Sequence, residues 1–314
     1  MTSAKPILVA GEINVDWVFG GLAAMPAPDA EVLAESFRQV PGSSSMICAM
    51  GMARLGDAVS FVGCAGADAR GAFCIDAMRS AGIDVAAVRS DAALETGITV
   101  SLSTLEDRAL VTLPGSIGAL TVDAVDDGLL AGARHLHVSS LYLQRGLRPQ
   151  LAEWFARARA AGLTTSLDPG FDPAQRWDDG IDWSVLLQQV DVFLPNRREA
   201  CAITHCEDAE TALRALANGT TRIVIKCAGD GALSLDDDGM PLRESTRPST
   251  GACDSTGAGD SFDAGFLHAW LAGLSVRDCL RWGNACGSLS MRGIGGTTCQ
   301  PDVTEVETWL QAPT

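Results

Sequence analysis

From Cys253 to Phe262 the chain reads CDSTGAGDSF, small residues and two carboxylates that run directly into an apolar pattern of helical spacing at Phe262, Phe266, Ala269 and Trp270. Glycines in such a turn let the backbone N–H groups of Gly257, Ala258 and Gly259 point out of a helix start, where the macrodipole adds positive potential. That is an anion hole, suited to a phosphoryl group in transfer. Asp260 falls in the first turn beside it, placed to accept a proton from a hydroxyl attacking the γ-phosphorus. The plainer alternative is a tight turn whose acid only complements the helix dipole.

The elements that must hold this turn are legible in outline. Short apolar runs at Ile7-Leu8-Val9-Ala10, Val59 to Val62, His135 to Val138, Val192 to Leu194 and Ile223 to Ile225 lack polar alternation, the signature of strands buried on both faces of a parallel sheet. Helical patterns lie between them at Ser44 to Leu55, Arg70 to Ala81, Val122 to Leu130, Arg148 to Ala161 and Ala209 to Ala217. The alternation predicts a layered α/β sheet. Trp17 to Val40 reads as loop-rich. Thr96 to Leu113 alternates around Glu106-Asp107 and predicts a hairpin, so the two stretches together suggest a small β lid. Further helices are expected over Gly259 to Leu271, Ser275 to Arg292 and Val303 to Leu310.

Composition narrows the partners. The 314 residues carry 23 Lys and Arg against 39 Asp and Glu, a net charge of −16 that repels nucleic acid and anionic membranes alike. No stretch approaches the roughly 20 apolar residues of a spanning helix, and no export signal is expected at the N-terminus. The ten cysteines are scattered singly, without the paired spacing of a zinc site, and read as small core residues of a cytoplasmic protein.

The 253–262 segment resembles the C-terminal signature of the ribokinase or PfkB family of carbohydrate kinases, D-T-x-G-A-G-D-x-F. The resemblance continues in order along the chain. Gly11-Glu12-Ile13-Asn14-Val15-Asp16 resembles the opening strand with its sugar-contacting Asn and Asp, and Gly42 to Gly56 the Gly-rich N-terminal signature. Then follow Val62 to Gly71, Thr96-Gly97, Asp168-Pro169 with Arg176-Trp177, Asn196-x-x-Glu199, Lys226 to Gly231 and the Asn284 helix. It implies a ribokinase-like layered α/β/α fold with a central, mostly parallel sheet and a small β-sheet lid, spanning residues 1–314 with lid segments 17–40 and 96–113. It also implies ATP and Mg²⁺, a sugar or nucleoside as acceptor, and pairing of two copies through the lid.

The same resemblance implies roles. Asn14 and Asp16 would converge on vicinal hydroxyls, with Gly42 and Ser43 beside them. Asn196 and Glu199, one helical turn apart, would face Mg²⁺ or its waters, although Asn and Glu at that spacing also form an ordinary helix cap. Asp254, with carbonyls of Met291 to Thr297, resembles a monovalent-cation ligand for K⁺, which not every relative uses. Lys226, Gly229 and Gly231 resemble nucleotide-side elements, with Asn284 near the purine; a surface lysine in a turn would read the same.

Four positions depart from the family pattern. Pro41 stands in place of the first Gly of the usual pair, Met46 where Asn is usual, Ala228 for the first Gly of the later G-x-x-G, and Gly170 for the Asn that often follows Asp-Pro. The expected activity is ATP-dependent phosphorylation of a hydroxymethyl group on a sugar or sugar acid. The alternatives are a nucleoside kinase, for which Met46 would wall an apolar base, and a catalytically silent sensor. A nicotinamide dehydrogenase fails for want of G-x-G-x-x-G after the first strand.

Overall fold

The computed structural model describes residues 5–104, 108–178, 180–247, 251 and 254–312. Strand β1 (Ile7–Glu12) continues through Ile13 into β2 (Asn14–Gly20), and β3 (Ser36–Pro41) leads to helix α1 (Ser44–Arg54). Next come β4 (Val59–Gly66), α2 (Ala69–Ser80), β5 (Asp84–Asp91) and the hairpin β6 (Gly97–Ser103) and β7 (Arg108–Leu113), whose expected Glu106-Asp107 turn lies outside the described residues. The middle of the chain alternates α3 (Asp127–Gly132), β8 (His135–Val138), α4 (Leu151–Ala160), β9 (Thr164–Leu167), α5 (Trp183–Leu187) and β10 (Val192–Phe193). After α6 (Arg197–Thr204) and α7 (Ala209–Leu216), strands β11 (Arg222–Lys226), β12 (Ala232–Leu235) and β13 (Pro241–Glu244) precede α8 (Ala258–Leu271), α9 (Val276–Ser290) and α10 (Val303–Gln311).

Nine strands form one sheet in the order β13-β12-β11-β10-β9-β8-β1-β4-β5. All its pairings are parallel except β11 with β12 and β12 with β13. Strand β1 is fully buried and splits its side chains between two cores. Leu8 and Ala10 pack with Trp154 and Phe155 of α4 on one face, while Ile7 and Val9 pack with Met46, Met52, Phe262 and Phe266 of α1 and α8 on the other. This two-sided burial is why the run is continuously apolar. The chain reverses direction across the sheet between β8 and β4, on either side of β1. In such sheets ligands bind beyond the C-terminal strand ends at the reversal, here the end of β1.

A second sheet, β3-β2-β6-β7, forms the lid. It corrects the loop-rich reading of 17–40: residues 14–20 and 36–41 are strands, paired Asp16 to Val40 and Phe19 to Phe37, and only the stretch between them is coil. The lid therefore begins at Asn14, so the expected acceptor residues are part of it. The expected helix over 122–130 is also revised. Asp126 accepts the Gly128 N–H and starts a new helix, leaving only a 3-10 turn at Val122–Ala124. Strands β9, β12 and β13 have no apolar run long enough to announce them, and the Val85 to Val88 run of β5 is flanked by the charged Asp84 and Arg89.

Candidate active site

Helix α8 is capped by Gly257 at φ +71°, a left-handed conformation suited to glycine. A side chain there would also meet the Cα of Gly296 at 2.6 Å. Asp254 braces this turn: one carboxylate oxygen accepts the Thr256 N–H and hydroxyl at 2.9 and 2.7 Å, and the other accepts the Gly295 N–H at 2.9 Å. Ala258 N–H donates to the Ser255 carbonyl at 3.3 Å. The N–H groups at the start of the helix lack intrahelical acceptors, and Ala258, Gly259 and Asp260 line the cleft.

Asp260 is half-buried on the cleft floor. Burial first, then the charge of Asp168, raises its carboxyl to about 6, against the pull of Lys226. Lys226 is no surface lysine. It is 9% exposed, and its ammonium donates to Asp168 Oδ2 at 2.9 Å and to the two Asp263 oxygens at 3.0 and 2.9 Å. Burial works against its charge, but Asp168 and Asp263 together hold it well above the usual lysine range. Burial likewise pushes Asp263 up, while Lys226 keeps Asp168 below its ordinary value. The three carboxylates Asp168, Asp260 and Asp263 bring ligand oxygens within 4.8 Å of one another. Asp263 was not among the sequence candidates, although its i+3 spacing from Asp260 places both on one helix face.

A cleft of about 1060 Å³ runs from Asp260 and Gly259 past Asn196, Glu199 and Lys226 to Gly229, Gly231 and Asn284. Asn196 and Glu199 form a complete capping box on α6: each backbone N–H donates to the other's side chain, at 2.8 and 2.9 Å, and the Asn196 amide donates to Glu199 at 2.6 Å. Burial and then the Asp168 charge push Glu199 up to about 8. A buried acid so raised, beside clustered carboxylates, is a donor set suited to Mg²⁺, which would return it to the ionised form. Asn284 spends its amide donors on the Glu244 and Ser245 carbonyls at 3.0 and 3.4 Å, so it holds the cleft wall in place. Gly231 packs on the Glu244 carbonyl, Gly229 borders open space, and Ala228 adopts φ +50° where a glycine would be unstrained.

The acceptor candidates lie outside this cleft and join it through Ser44. Asn14 Nδ2 donates to Asp16 Oδ1 at 2.9 Å and to Thr99 Oγ1 at 3.3 Å. Gly42 lies against this pair: a Cβ there would stand 2.0 Å from Asp16 Oδ1 and 2.7 Å from Asn14 Nδ2. The Ser43 hydroxyl caps α1, accepting the Met46 N–H at 3.1 Å and donating to the Glu12 carbonyl at 2.8 Å. Ser44 begins α1 and lines the same cleft as Asp260. Met46 is fully buried among Ile7, Val9 and Phe262, so it is core and not a wall for a ligand.

The sequence model of the pfkB family carbohydrate kinases matches residues 4–303. The chain is 31% identical over 311 residues, 97% of each protein, to the ATP-dependent ribose-1-phosphate kinase of Halopiger xanaduensis. Among solved structures it resembles the ribokinase of Arabidopsis thaliana complexed with ribose and ATP, at 24% identity and TM-score 0.83 over 99% of this chain and all of that one. It also resembles a putative ribokinase II of E. coli in complex with ATP and Mg²⁺, at 21% identity and TM-score 0.83 over 98% of this chain and 99% of that one.

Proposed function

The chain belongs to the pfkB family of carbohydrate kinases and is an ATP-dependent sugar kinase, and on that premise we propose that Asp260 is the general base for phosphorylation of a sugar hydroxymethyl group. The acceptor O–H gives its proton to the Asp260 carboxylate as its oxygen attacks the γ-phosphorus, and the bond to the ADP oxygen breaks. N–H groups at the 257–259 turn stabilise the charge on the transferring group. Glu199 and Asn196 would hold Mg²⁺ through water, and the ion would neutralise phosphate charge. The carrying observation is the placement of Asp260, half-buried at the α8 start in the cleft that Ser44 of α1 also lines.

Asn14 and Asp16 are suited to two-point binding of vicinal hydroxyls, and a site so built rejects deoxy analogues strongly. Ribose 1-phosphate, named for the relative of Halopiger xanaduensis, heads the acceptors to assay, with free sugars and sugar acids after it. The nucleoside alternative loses its apolar wall, because Met46 is core. The complete turn and Asp260 speak against a silent sensor. ADP release measured across sugars, sugar phosphates, sugar acids and nucleosides tests the reading, and turnover of adenosine or inosine with no sugar would overturn it.

The same reading takes residues 1–314 as one kinase domain with the lid inserted, located in the cytoplasm, and K⁺ as a cation beside Asp254. Phe37, Val111 and Leu113 lie on one lid face and are 47%, 63% and 51% exposed. An apolar patch of this kind suits pairing of two lids in a homodimer.

A further inference from the structure

Four cations line the nucleotide cleft: Arg197, Arg198, Lys226 and Arg247. Three are engaged. Arg197 pairs with Asp230, Lys226 is surrounded by Asp168 and Asp263, and Arg247 lies over Trp309 and donates to the Trp309 and Ala312 carbonyls. Arg198 differs: its guanidinium centre sits 4.8 Å from the Phe171 ring centroid, and no carboxylate among the described residues pairs with it.

We propose that Arg198 is a phosphate clamp for the nucleotide, engaging the polyphosphate that enters this cleft; the proposal rests on the kinase reading above. A guanidinium held over a ring in this way keeps N–H donors that no carboxylate among the described residues engages, and a guanidinium fork can grip phosphate oxygens in pairs. The platform is held in place. Phe171 meets Trp177 edge-on at 5.6 Å, Trp177 meets Tyr142 at 5.6 Å, and the Tyr142 hydroxyl donates to the Trp177 carbonyl at 2.6 Å. Asp172 ties the same loop by accepting the N–H groups of Ala174, Arg176 and Trp177. The electrostatics ask for such a group: Asp168, Glu207 and Asp260 line the same cleft in a chain of net charge −16, and a polyphosphate meets repulsion there unless a cation receives it.

Calorimetric titration of ATP, ADP and AMP with Mg²⁺ tests this on the wild type and on Arg198→Ala, Arg198→Lys and Phe171→Leu, with the folded state of each checked by melting temperature. Arg198→Ala is expected to weaken ATP about tenfold and AMP less than about twofold, with the ATP loss shrinking as salt rises. Lysine keeps the charge without the fork and should fall between, and Phe171→Leu, which removes the platform, should weaken ATP a few-fold. Equal weakening of ATP and AMP, or unchanged ATP affinity in Arg198→Ala, overturns the clamp alone. A wild-type protein that binds no ATP overturns the kinase reading and the clamp together.

Discussion

Replacing Gly42 by alanine sets a methyl carbon 2.0 Å from Asp16 Oδ1, 2.3 Å from Asp16 Cγ and 2.7 Å from Asn14 Nδ2. Ordinary contact begins at 3.4 Å, so Asp16 must yield by about 1.4 Å. Gly42 has no left-handed backbone angle, and the effect is therefore steric, delivered to the two side chains assigned to the acceptor. A shift of that size breaks the bonds they would make to substrate hydroxyls. One bond to an ionised carboxylate and one to an amide amount to about 2.5–4 kcal/mol, or about 70- to 1,000-fold in acceptor KM. Steady-state kinetics with the acceptor varied at saturating ATP, alongside a direct measurement of ATP affinity, reads this out. The cleft proposed for the nucleotide is lined by none of Asn14, Asp16 or Gly42, and ATP affinity should hold. An acceptor KM within threefold of wild type in a folded Gly42→Ala protein would refute the placement of the sugar on Asn14 and Asp16.

Lys226→Met leaves Asp168 and Asp263 as buried carboxylates without their shared cation, and denaturant unfolding should show a loss of about 3–5 kcal/mol. Glu199→Gln keeps a capping group on α6 and should raise the Mg²⁺ concentration needed for half-maximal rate while leaving acceptor KM in place; an unchanged Mg²⁺ titration would reduce Glu199 to its cap. Ala228→Gly relieves a left-handed alanine at φ +50° and should stabilise the fold by about 0.5–1 kcal/mol, a rise of about 1–3 °C in Tm.

The sheet and its helices were legible because two-sided burial writes itself as unbroken apolar runs, as at Ile7 to Ala10, and because Asp260 follows a glycine turn at a helix start. Strand β5 was not, since none of its residues is fully buried at the sheet edge and its Val85 to Val88 run is flanked by the charged Asp84 and Arg89. The lid was half legible: the alternation of β6 and β7 announced a hairpin, whereas β2 and β3 sit on either side of a coil rich in Gly and Pro that masked them. Lys226 could be read equally as a nucleotide-side element or as a surface lysine, because its partners, Asp168 and Asp263, are 58 and 37 residues away in sequence and meet it only through the fold. Met46 read as a pocket residue because a side chain's direction from α1 is set by packing against α8, which spacing alone does not show.

Asp260→Asn tests the central claim most directly, measured as single-turnover phosphoryl transfer together with ATP affinity and thermal stability. The amide keeps the shape and cannot take the proton, so transfer should fall by about 100- to 10,000-fold while ATP still binds. The wild-type carboxyl is raised from 3.8 to about 6, so the folded state holds its ionised form at a disadvantage above that pH. The neutral amide should accordingly stabilise the protein at pH 7, by up to about 3 kcal/mol, and the wild-type rate should fall as pH drops through about 6 and the base becomes protonated. An Asp260→Asn protein that keeps more than about a tenth of the wild-type single-turnover rate would contradict the assignment of the base.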